Sequence, residues 1–124
     1  MSMPTKSRYN KGKEGERIAA EYLCQCGLKI LERNFRCPSG EIDLVAKEGK
    51  TIVFVEVRSR QTGEFCTPEE SLSVHKFRRI AKAALWYVKQ RGQTDSSMRF
   101  DVVALRWNGE EPEINWIVNA FEPR

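Results

Sequence analysis

The sequence predicts a single α/β domain, because helical and extended patterns alternate along the 124 residues. Two segments repeat apolar residues at helical spacing, Gly12–Gly27 and Ser71–Arg91. Runs typical of strands lie around them, over Lys29–Asn34, 41–47, 51–58, Arg99–Trp107 and Glu113–Val118. The predicted order is therefore α-β-β-β-α-β-β, around one core that a chain of this length is able to bury.

Each predicted helix has an apolar stripe and a glycine at its end. The stripes are Ile18, Tyr22, Leu23 and Cys26 in the first helix, and Val74, Phe77, Ala81, Ala84 and Val88 in the second. The second helix is predicted to be the longest. Residues 1–12 are basic and lack a stripe, so we expect a flexible arm there and one domain over residues 13–124.

The composition predicts a cytoplasmic protein that does not enter a membrane. No apolar run approaches the roughly 20 residues of a membrane span, and the N-terminus lacks the apolar segment of a signal peptide. The four cysteines form no C-x-x-C pair and His75 is the single histidine, which argues against a zinc site. We expect the cysteines to be reduced and to act as small buried apolar residues.

Positive charge is concentrated in two segments without acids. Residues 1–13 carry four basic residues, and residues 71–94 carry six: Lys76, Arg78, Arg79, Lys82, Lys89 and Arg91. Such patches attract a phosphate backbone, although a solvated helix face and a tail produce the same pattern. The charge therefore indicates a nucleic-acid partner and leaves the simpler interpretation open.

Two acids stand inside the most hydrophobic runs of the chain, Asp43 in GEIDLV and Glu56 in VFVEVR. A two-residue turn at 48–49 would place them diagonally, and one at 49–50 directly opposite each other. Either turn puts both carboxylates on one face of the hairpin, whereas a three-residue turn would separate them. Because two-residue turns are favoured, we expect a shared face.

Two carboxylates on one face repel each other unless a cation lies between them. Oxygen ligands favour a hard ion such as Mg²⁺ or Mn²⁺, and Arg58 on the same face is suited to hold a phosphate oxygen. The alternative is a salt-bridged hairpin, in which Glu41 or Glu56 pairs with Arg58 and Asp43 caps a backbone amide. The charge pattern leaves both open.

The spacing D-x(12)-E-V-R resembles the D-x(n)-(D/E)-x-K signature of the restriction-endonuclease-like nucleases. Six motifs along nearly the whole chain resemble those of the bacterial YraN family. They are GxxGExxA at 12–19, ERNFR at 32–36, GEIDLV at 40–45, VFVEVRSR at 53–60, RFDVVAL at 99–105 and NAF at 119–121. That family is placed in the nuclease superfamily by its fold and hairpin. The resemblance implies a restriction-endonuclease-like three-layer fold with a central mixed sheet, similar to archaeal-type Holliday junction resolvases.

The resemblance also implies roles for residues. Asp43 and Glu56 would bind Mg²⁺ or Mn²⁺, and Glu16 would match the acid supplied by the first helix, although an exposed acid favoured by the helix dipole explains Glu16 equally well. Nucleic acid is the implied partner, DNA rather than RNA, and the resolvase analogy implies a homodimer. The predicted nucleic-acid contacts are Arg60, Gln61, Lys76 and Arg79.

The chain departs from the superfamily signature at Arg58, which occupies the lysine position. Arginine keeps its charge and cannot act as a general base, but it stabilises negative charge that develops on phosphate. Lys76 is our candidate for the missing lysine. We expect the aromatic residues Trp86, Tyr87, Trp107 and Trp116 in the core, His75 on a helix surface, and Arg99–Asp101 as a surface or edge pair.

Three functions follow, in decreasing order of preference. The first is a metal-dependent nuclease that hydrolyses phosphodiester bonds in branched or single-stranded DNA. The second is a nucleic-acid-binding module that has the fold without the catalysis. The third is a protein-interaction scaffold in which the acids simply pair with Arg58 and Arg60.

Overall fold

The computed structural model describes residues 4–61 and 73–121. Over these ranges, helices α1 (Pro4–Gln25) and α2 (Val74–Gln90) alternate with five strands. The strands are β1 (Lys29–Cys37), β2 (Gly40–Glu48), β3 (Thr51–Gln61), β4 (Ser97–Trp107) and β5 (Pro112–Phe121). The predicted order α-β-β-β-α-β-β is confirmed.

The five strands form one mixed sheet in the order β1-β2-β3-β4-β5. Neighbouring strands are antiparallel except β3 and β4, which run parallel from Thr51↔Ser97 to Gln61↔Trp107. Parallel neighbours need a long crossover, and α2 lies within that connection. A central mixed sheet is what the resemblance implied.

The two helices cover opposite faces of the sheet. The α1-side core joins Ala19, Ala20 and Leu23 to sheet residues that include Leu44, Val53, Val55, Val103 and Leu105. The α2-side core joins Ile80, Ala84 and Tyr87 to Val45, Ile52, Phe54 and Phe100. Helix α1 packs so closely that a Cβ atom at Gly15 would lie 2.9 Å from Leu105 Cδ1. The three layers of the implied fold are therefore present.

Helix α1 begins earlier than predicted, at Pro4 instead of Gly12. Proline suits the first position of a helix, because the backbone N–H that it lacks would have no partner there. With 22 residues against 17, α1 and not α2 is the longer helix, so that prediction was wrong. The separate arm over residues 1–12 stays a prediction, although most of this segment is helical.

Helix α2 begins after Ser73, whose hydroxyl accepts a hydrogen bond of 3.1 Å from the backbone N–H of Lys76. The predicted stripe is confirmed in part: Ala84 and Val88 are buried, and Phe77 and Ala81 pack half-buried against the core, but Val74 is 64% exposed. The other buried residues of α2 are Ile80, Ala83 and Tyr87. This orientation turns Ile80 and Tyr87 towards the sheet, and they bury more apolar surface than Val74 would.

The cysteine prediction was wrong at two positions. Cys24 and Cys26 are exposed at the end of α1, beyond the packed Leu23, and Cys37 is half-buried. Cys66 lies outside the described residues. Neither described helix is long and apolar enough to cross a membrane.

Candidate active site

The register of the β2–β3 hairpin decides where the two acids lie. Glu48 pairs with Thr51, which leaves a two-residue turn at Gly49-Lys50. Gly49 has φ 59°, a conformation that glycine adopts without steric cost. Continued along the hairpin, this register sets Asp43 directly opposite Glu56, one of the two arrangements that the sequence allowed.

The hairpin ladder ends one pair before the acids, at Leu44↔Val55. Beyond that pair β2 stays with β1 and β3 stays with β4, so the two strands part. Asp43 and Glu56 occupy the opening. The backbone N–H of Val57 donates a hydrogen bond of 2.8 Å to Asp43 Oδ2 across it.

Glu56 is buried, with 5% of its surface exposed, and two cations contact one of its oxygens. Lys76 Nζ lies 2.7 Å from Glu56 Oε2, and Arg58 Nη1 lies 3.2 Å from the same atom. Lys76 comes from the first turn of α2, which the Ser73 cap holds in place. The candidate for the missing lysine is thus at the acid pair.

Asp43 differs from an ordinary surface acid. Burial, and next the neighbouring Glu56 carboxylate, raise the pKa of Asp43 to about 8, against the lowering effect of the Val57 hydrogen bond. Asp43 therefore retains a proton at neutral pH as long as no cation lies beside it.

Both acids open into a cavity of about 440 Å³. Its lining is Arg36, Cys37, Gly40, Glu41, Asp43, Glu56, Lys76, Arg79 and Ile80. The prediction that the two acids share a face is confirmed. Three cationic side chains, Arg36, Lys76 and Arg79, surround them, so the cavity combines acids with a basic rim.

Glu16 approaches the same region from α1 and is not among the lining residues. Burial, followed by the charges of Glu41 and Glu56, raises the pKa of Glu16, and a side-chain hydrogen bond with Asn34 opposes this. Glu16 is half-buried in the middle of α1, so the interpretation as an exposed acid near the helix start was wrong.

The other predicted contacts are placed differently. Arg79 is exposed and lines the cavity. Arg60 is half-buried and donates a hydrogen bond of 3.1 Å to the carbonyl oxygen of Ser59, and Gln61 is exposed at the end of β3. Arg60 and Gln61 therefore lie on the strand beyond the cavity.

The salt-bridged alternative is realised in part. Arg58 pairs with Glu56, and Asp43 accepts a backbone N–H. Glu41 pairs with Arg36 at 2.6 Å instead of with Arg58, because β1 and not β3 is its neighbour at that level. These pairings balance the charge of Glu56, so they are compatible with a ligand-binding role as well as a structural one.

Arg36 and Gly40 were not anticipated by the sequence interpretation as cavity residues. Their signals were the ERNFR motif and the Pro-Ser-Gly turn. A Cβ atom at Gly40 would lie 3.3 Å from Arg79 Cβ, and φ at Gly40 is 154°, so glycine allows the β1–β2 turn to rest directly on α2. That contact closes one side of the cavity.

Two structural predictions need correction. Asp101 pairs with Arg99 as predicted, but it is 1% exposed on the inner strand β4 and is not at a surface or edge. Trp86 is 41% exposed and not in the core, whereas Tyr87 and Trp107 are buried and Trp116 is half-buried. His75 is exposed on α2, as expected.

The ligand atoms that the two acids offer are of the type that a hard divalent cation prefers. Asp43 and Glu56 offer only oxygen, and Mg²⁺ is typically held by one or two carboxylates with water and substrate phosphate. Within residues 4–61 and 73–121, no three His, Cys, Asp or Glu side chains cluster as ligands. An ion here would thus depend on these two carboxylates and on non-protein oxygens.

Comparison with known proteins identifies the family. Residues 15–105 match the model of "Uncharacterised protein family UPF0102". The chain belongs to this family. It is the YraN family that the motifs indicated.

UPF0102 relatives cover nearly the same length. The chain is 51% identical over 119 residues to a UPF0102 protein of Geobacter metallireducens, covering 94% of this chain and 97% of that one. It is 44% identical over 119 residues to the Geobacter sulfurreducens protein (94% and 93%) and 47% identical over 107 residues to that of Moorella thermoacetica (86% and 89%).

Among solved structures, Pyrococcus furiosus SfsA in complex with Ca²⁺ is similar with a TM-score of 0.40 and 16% identity. The match covers 87% of this chain and 62% of that chain, so this chain spans less than two thirds of SfsA.

Proposed function

We propose that this UPF0102 protein is a metal-dependent phosphodiesterase that acts on nucleic acid, on DNA rather than RNA. The observation that carries the proposal is the meeting of Asp43, Glu56 and Lys76 in one open cavity, with Lys76 Nζ 2.7 Å from Glu56 Oε2. Facing carboxylates beside an amine, with arginines around them, are suited to metal-dependent hydrolysis of a phosphodiester.

Each side chain has a distinct part in the proposed reaction. Asp43 and Glu56 would hold Mg²⁺ or Mn²⁺, which supplies Lewis-acid polarisation of the phosphate when bound. Arg58, 14% exposed and permanently charged, stabilises the charge that develops on phosphorus. Lys76, 38% exposed, exchanges its contact with Glu56 for a phosphate oxygen. Glu16 would affect Asp43 and Glu56 electrostatically, through its negative charge.

The rim would position the substrate. Arg79 and Arg36 are both exposed and both line the cavity, so they would contact phosphates of a bound strand. Arg60 and Gln61 would contact the nucleic acid further along β3. Binding should therefore weaken with salt, in proportion to the number of phosphates contacted.

The test is cleavage of labelled single-stranded, duplex, flapped and four-way-junction DNA with Mn²⁺. Glu56→Gln should lower the cleavage rate at least about 100-fold, because a metal ligand is lost. The matched control is Glu41→Gln, which alters an acid in the same cavity whose partner is Arg36; it should retain cleavage. Equal rates for wild type and Glu56→Gln would exclude the hairpin acids from the mechanism.

A second candidate is nucleic-acid binding without catalysis. It is favoured by the two cations on Glu56, since Lys76 and Arg58 balance that carboxylate without a metal ion. This candidate predicts salt-dependent binding of DNA and no cleavage with Mg²⁺ or Mn²⁺. Cleavage that depends on Glu56 would exclude it.

A further inference from the structure

Helix α2 presents a row of cations and one large aromatic side chain on its solvent side. Lys76, Arg79, Lys82, Trp86 and Lys89 follow one another at intervals of three or four residues, which places them along one side of the helix. Trp86 is 41% exposed, although tryptophan is strongly buried on average in folded proteins. The row begins at the acid cavity and leads away from it.

Lys76 pairs with Glu56, but the other three cations of this row have no ion-pair partner among the acids of the described residues. Helix α2 itself contains no Asp or Glu. Within residues 4–61 and 73–121, no carboxylate forms an ion pair with Arg79, Lys82 or Lys89. The surface therefore complements an anion that extends along the helix.

A second cavity of about 520 Å³ lies along this row. It is lined by Ser39, Lys82, Leu85, Trp86, Lys89 and Gln90. Ser39 directly precedes Gly40, which lines the acid cavity, so the β1–β2 turn borders both spaces. The two cavities are consequently neighbours along α2.

We propose that Trp86 stacks on a base of an unpaired nucleic-acid strand that runs from the acid cavity along α2, with Lys82 and Lys89 on the flanking phosphates. The inference rests on the proposed function and specifies its substrate class. An aromatic face between cations binds single strands, because a base must be unstacked to reach it, whereas a duplex keeps its bases inside.

The spacing fits a short run of nucleotides. Ten residues separate Lys76 from Trp86, which is about 15 Å along a helix with a rise of 1.5 Å per residue. This corresponds to roughly four nucleotides at the spacing of about 3.4 Å that a strand has in a duplex, and to fewer when the strand is extended. A single-stranded end or flap of that length would connect the phosphate in the acid cavity with the base on Trp86.

The chemistry favours nucleic acid over a protein partner. Of the six residues that line the second cavity, Leu85 and Trp86 alone are apolar, and two of the others are lysines. A protein-docking groove would depend on Leu85 as much as on Trp86. Base stacking depends on the aromatic ring.

The test is fluorescence-anisotropy titration of labelled single-stranded oligo(dT) and of a blunt duplex, in EDTA so that nothing is cleaved. Trp86→Ala should weaken binding of oligo(dT) on the order of 10-fold, as expected when one stacked base is lost. Trp86→Phe should keep most of the affinity. Leu85→Ala, the matched control at the neighbouring exposed apolar residue, should leave it unchanged, and duplex affinity should be the same in all four proteins.

A second readout uses the intrinsic fluorescence of the protein. Oligo(dT) should quench the tryptophan emission of the wild type and not that of Trp86→Phe, which retains Trp107 and Trp116. Unchanged oligo(dT) affinity in Trp86→Ala would overturn the inference. A loss in Leu85→Ala as large as in Trp86→Ala would also overturn it and indicate a protein-docking surface.

The two proposals fail separately. Binding in EDTA requires no metal and no cleavage, so a loss of affinity in Trp86→Ala supports the strand path even if no substrate is cut. If cleavage depends on Glu56, and Trp86→Ala cleaves and binds single strands as well as the wild type does, the phosphodiesterase proposal is supported and the strand path along α2 is contradicted.

Discussion

Two buried acids on neighbouring strands, Asp101 on β4 and Glu56 on β3, differ in the kind of groups that hold their carboxylates. Asp101 is 1% exposed and accepts hydrogen bonds from Arg99 Nε and Nη2, from Trp116 Nε1 and from the backbone N–H of Asn119. Glu56 is 5% exposed; its ion-pair partners are the ends of two long side chains, Lys76 and Arg58, and it also contacts the Asp43 carboxyl.

The difference separates a structural acid from one that is available for chemistry. The donors to Asp101 include an indole and a backbone amide, which cannot turn away, and both oxygens are used. One partner of Glu56, Lys76, is a flexible side chain that lines the open cavity, and a second acid, Asp43, lies opposite Glu56 in the same cavity. Buried acids with exchangeable partners in a cavity are typical of functional sites.

The largest effect on stability should come from Asp101→Asn. The substitution removes the charge that holds Arg99 and directs an amide N–H at one of the present donors, so we expect a loss of about 3–5 kcal/mol in the free energy of unfolding. Urea denaturation measures it. A loss below about 1 kcal/mol would mean that Asp101 does not hold β4 and β5 together.

The next effect is stabilisation by metal. Mn²⁺ at about 100 times its dissociation constant should raise the free energy of unfolding by about 2.7 kcal/mol, because the folded state alone brings Asp43 and Glu56 together. Thermal unfolding with and without Mn²⁺ measures it. Glu56→Gln should lose the response and Glu41→Gln should keep it; an equal response in both would place the ion elsewhere.

A smaller effect is the pH dependence of the metal-free protein. The pKa of Asp43 rises from 3.8 to about 8 on folding. Between these values the native protein holds a proton that the unfolded chain has released, so stability falls as pH rises through this window. In EDTA, Tm should be lower at pH 9 than at pH 5 by at least about 4 °C, the shift expected for about 1 kcal/mol.

Asp43→Asn is the control for this pH effect. The variant has no titrating group at the position, so the Tm difference between the two pH values should shrink. An unchanged difference in Asp43→Asn would assign the pH effect to other groups.

The smallest effect should be that of Glu56→Gln on stability, within about 1 kcal/mol of wild type in EDTA. Lys76 is 38% exposed and regains water when its partner is neutral, and the amide oxygen of the introduced glutamine still accepts a hydrogen bond from Arg58. Urea denaturation beside Asp101→Asn checks it. A cost equal to that of Asp101→Asn would make Glu56 a structural ion-pair partner and favour the scaffold interpretation.

The open end of the hairpin was predictable because its determinants are local. Gly49 selects a two-residue turn, and alternation along each strand then puts Asp43 and Glu56 on the same face. Lys76 was predictable because it lies in the basic segment without acids. The order of the elements along the chain was predictable from the same local patterns, and the family resemblance implied the central mixed sheet.

The surroundings of Asp101 were not predictable, since they depend on distant residues. Trp116 and Asn119 reach it from β5, 15 and 18 residues further along the chain, and Asn119 has a positive φ of 56°. The exposure of Trp86 has the same origin. Which side of α2 meets the sheet depends on the fit of Ile80 and Tyr87 against β2 and β3, and spacing alone leaves that rotation undetermined.

Beyond Leu44↔Val55, β2 and β3 part at one end of the sheet, and each of the two strands carries one of the acids there. Asp43 lies on β2, which stays paired with β1 at this end, and Glu56 lies on β3, which stays paired with β4. An ion held by both carboxylates would link β2 and β3 at the point where they part. Loss of the ion would allow this end of the hairpin to open more often. The backbone N–H of Val57 donates a hydrogen bond to Asp43 across this opening. Its hydrogen-exchange rate should therefore be lower when an ion links the two strands.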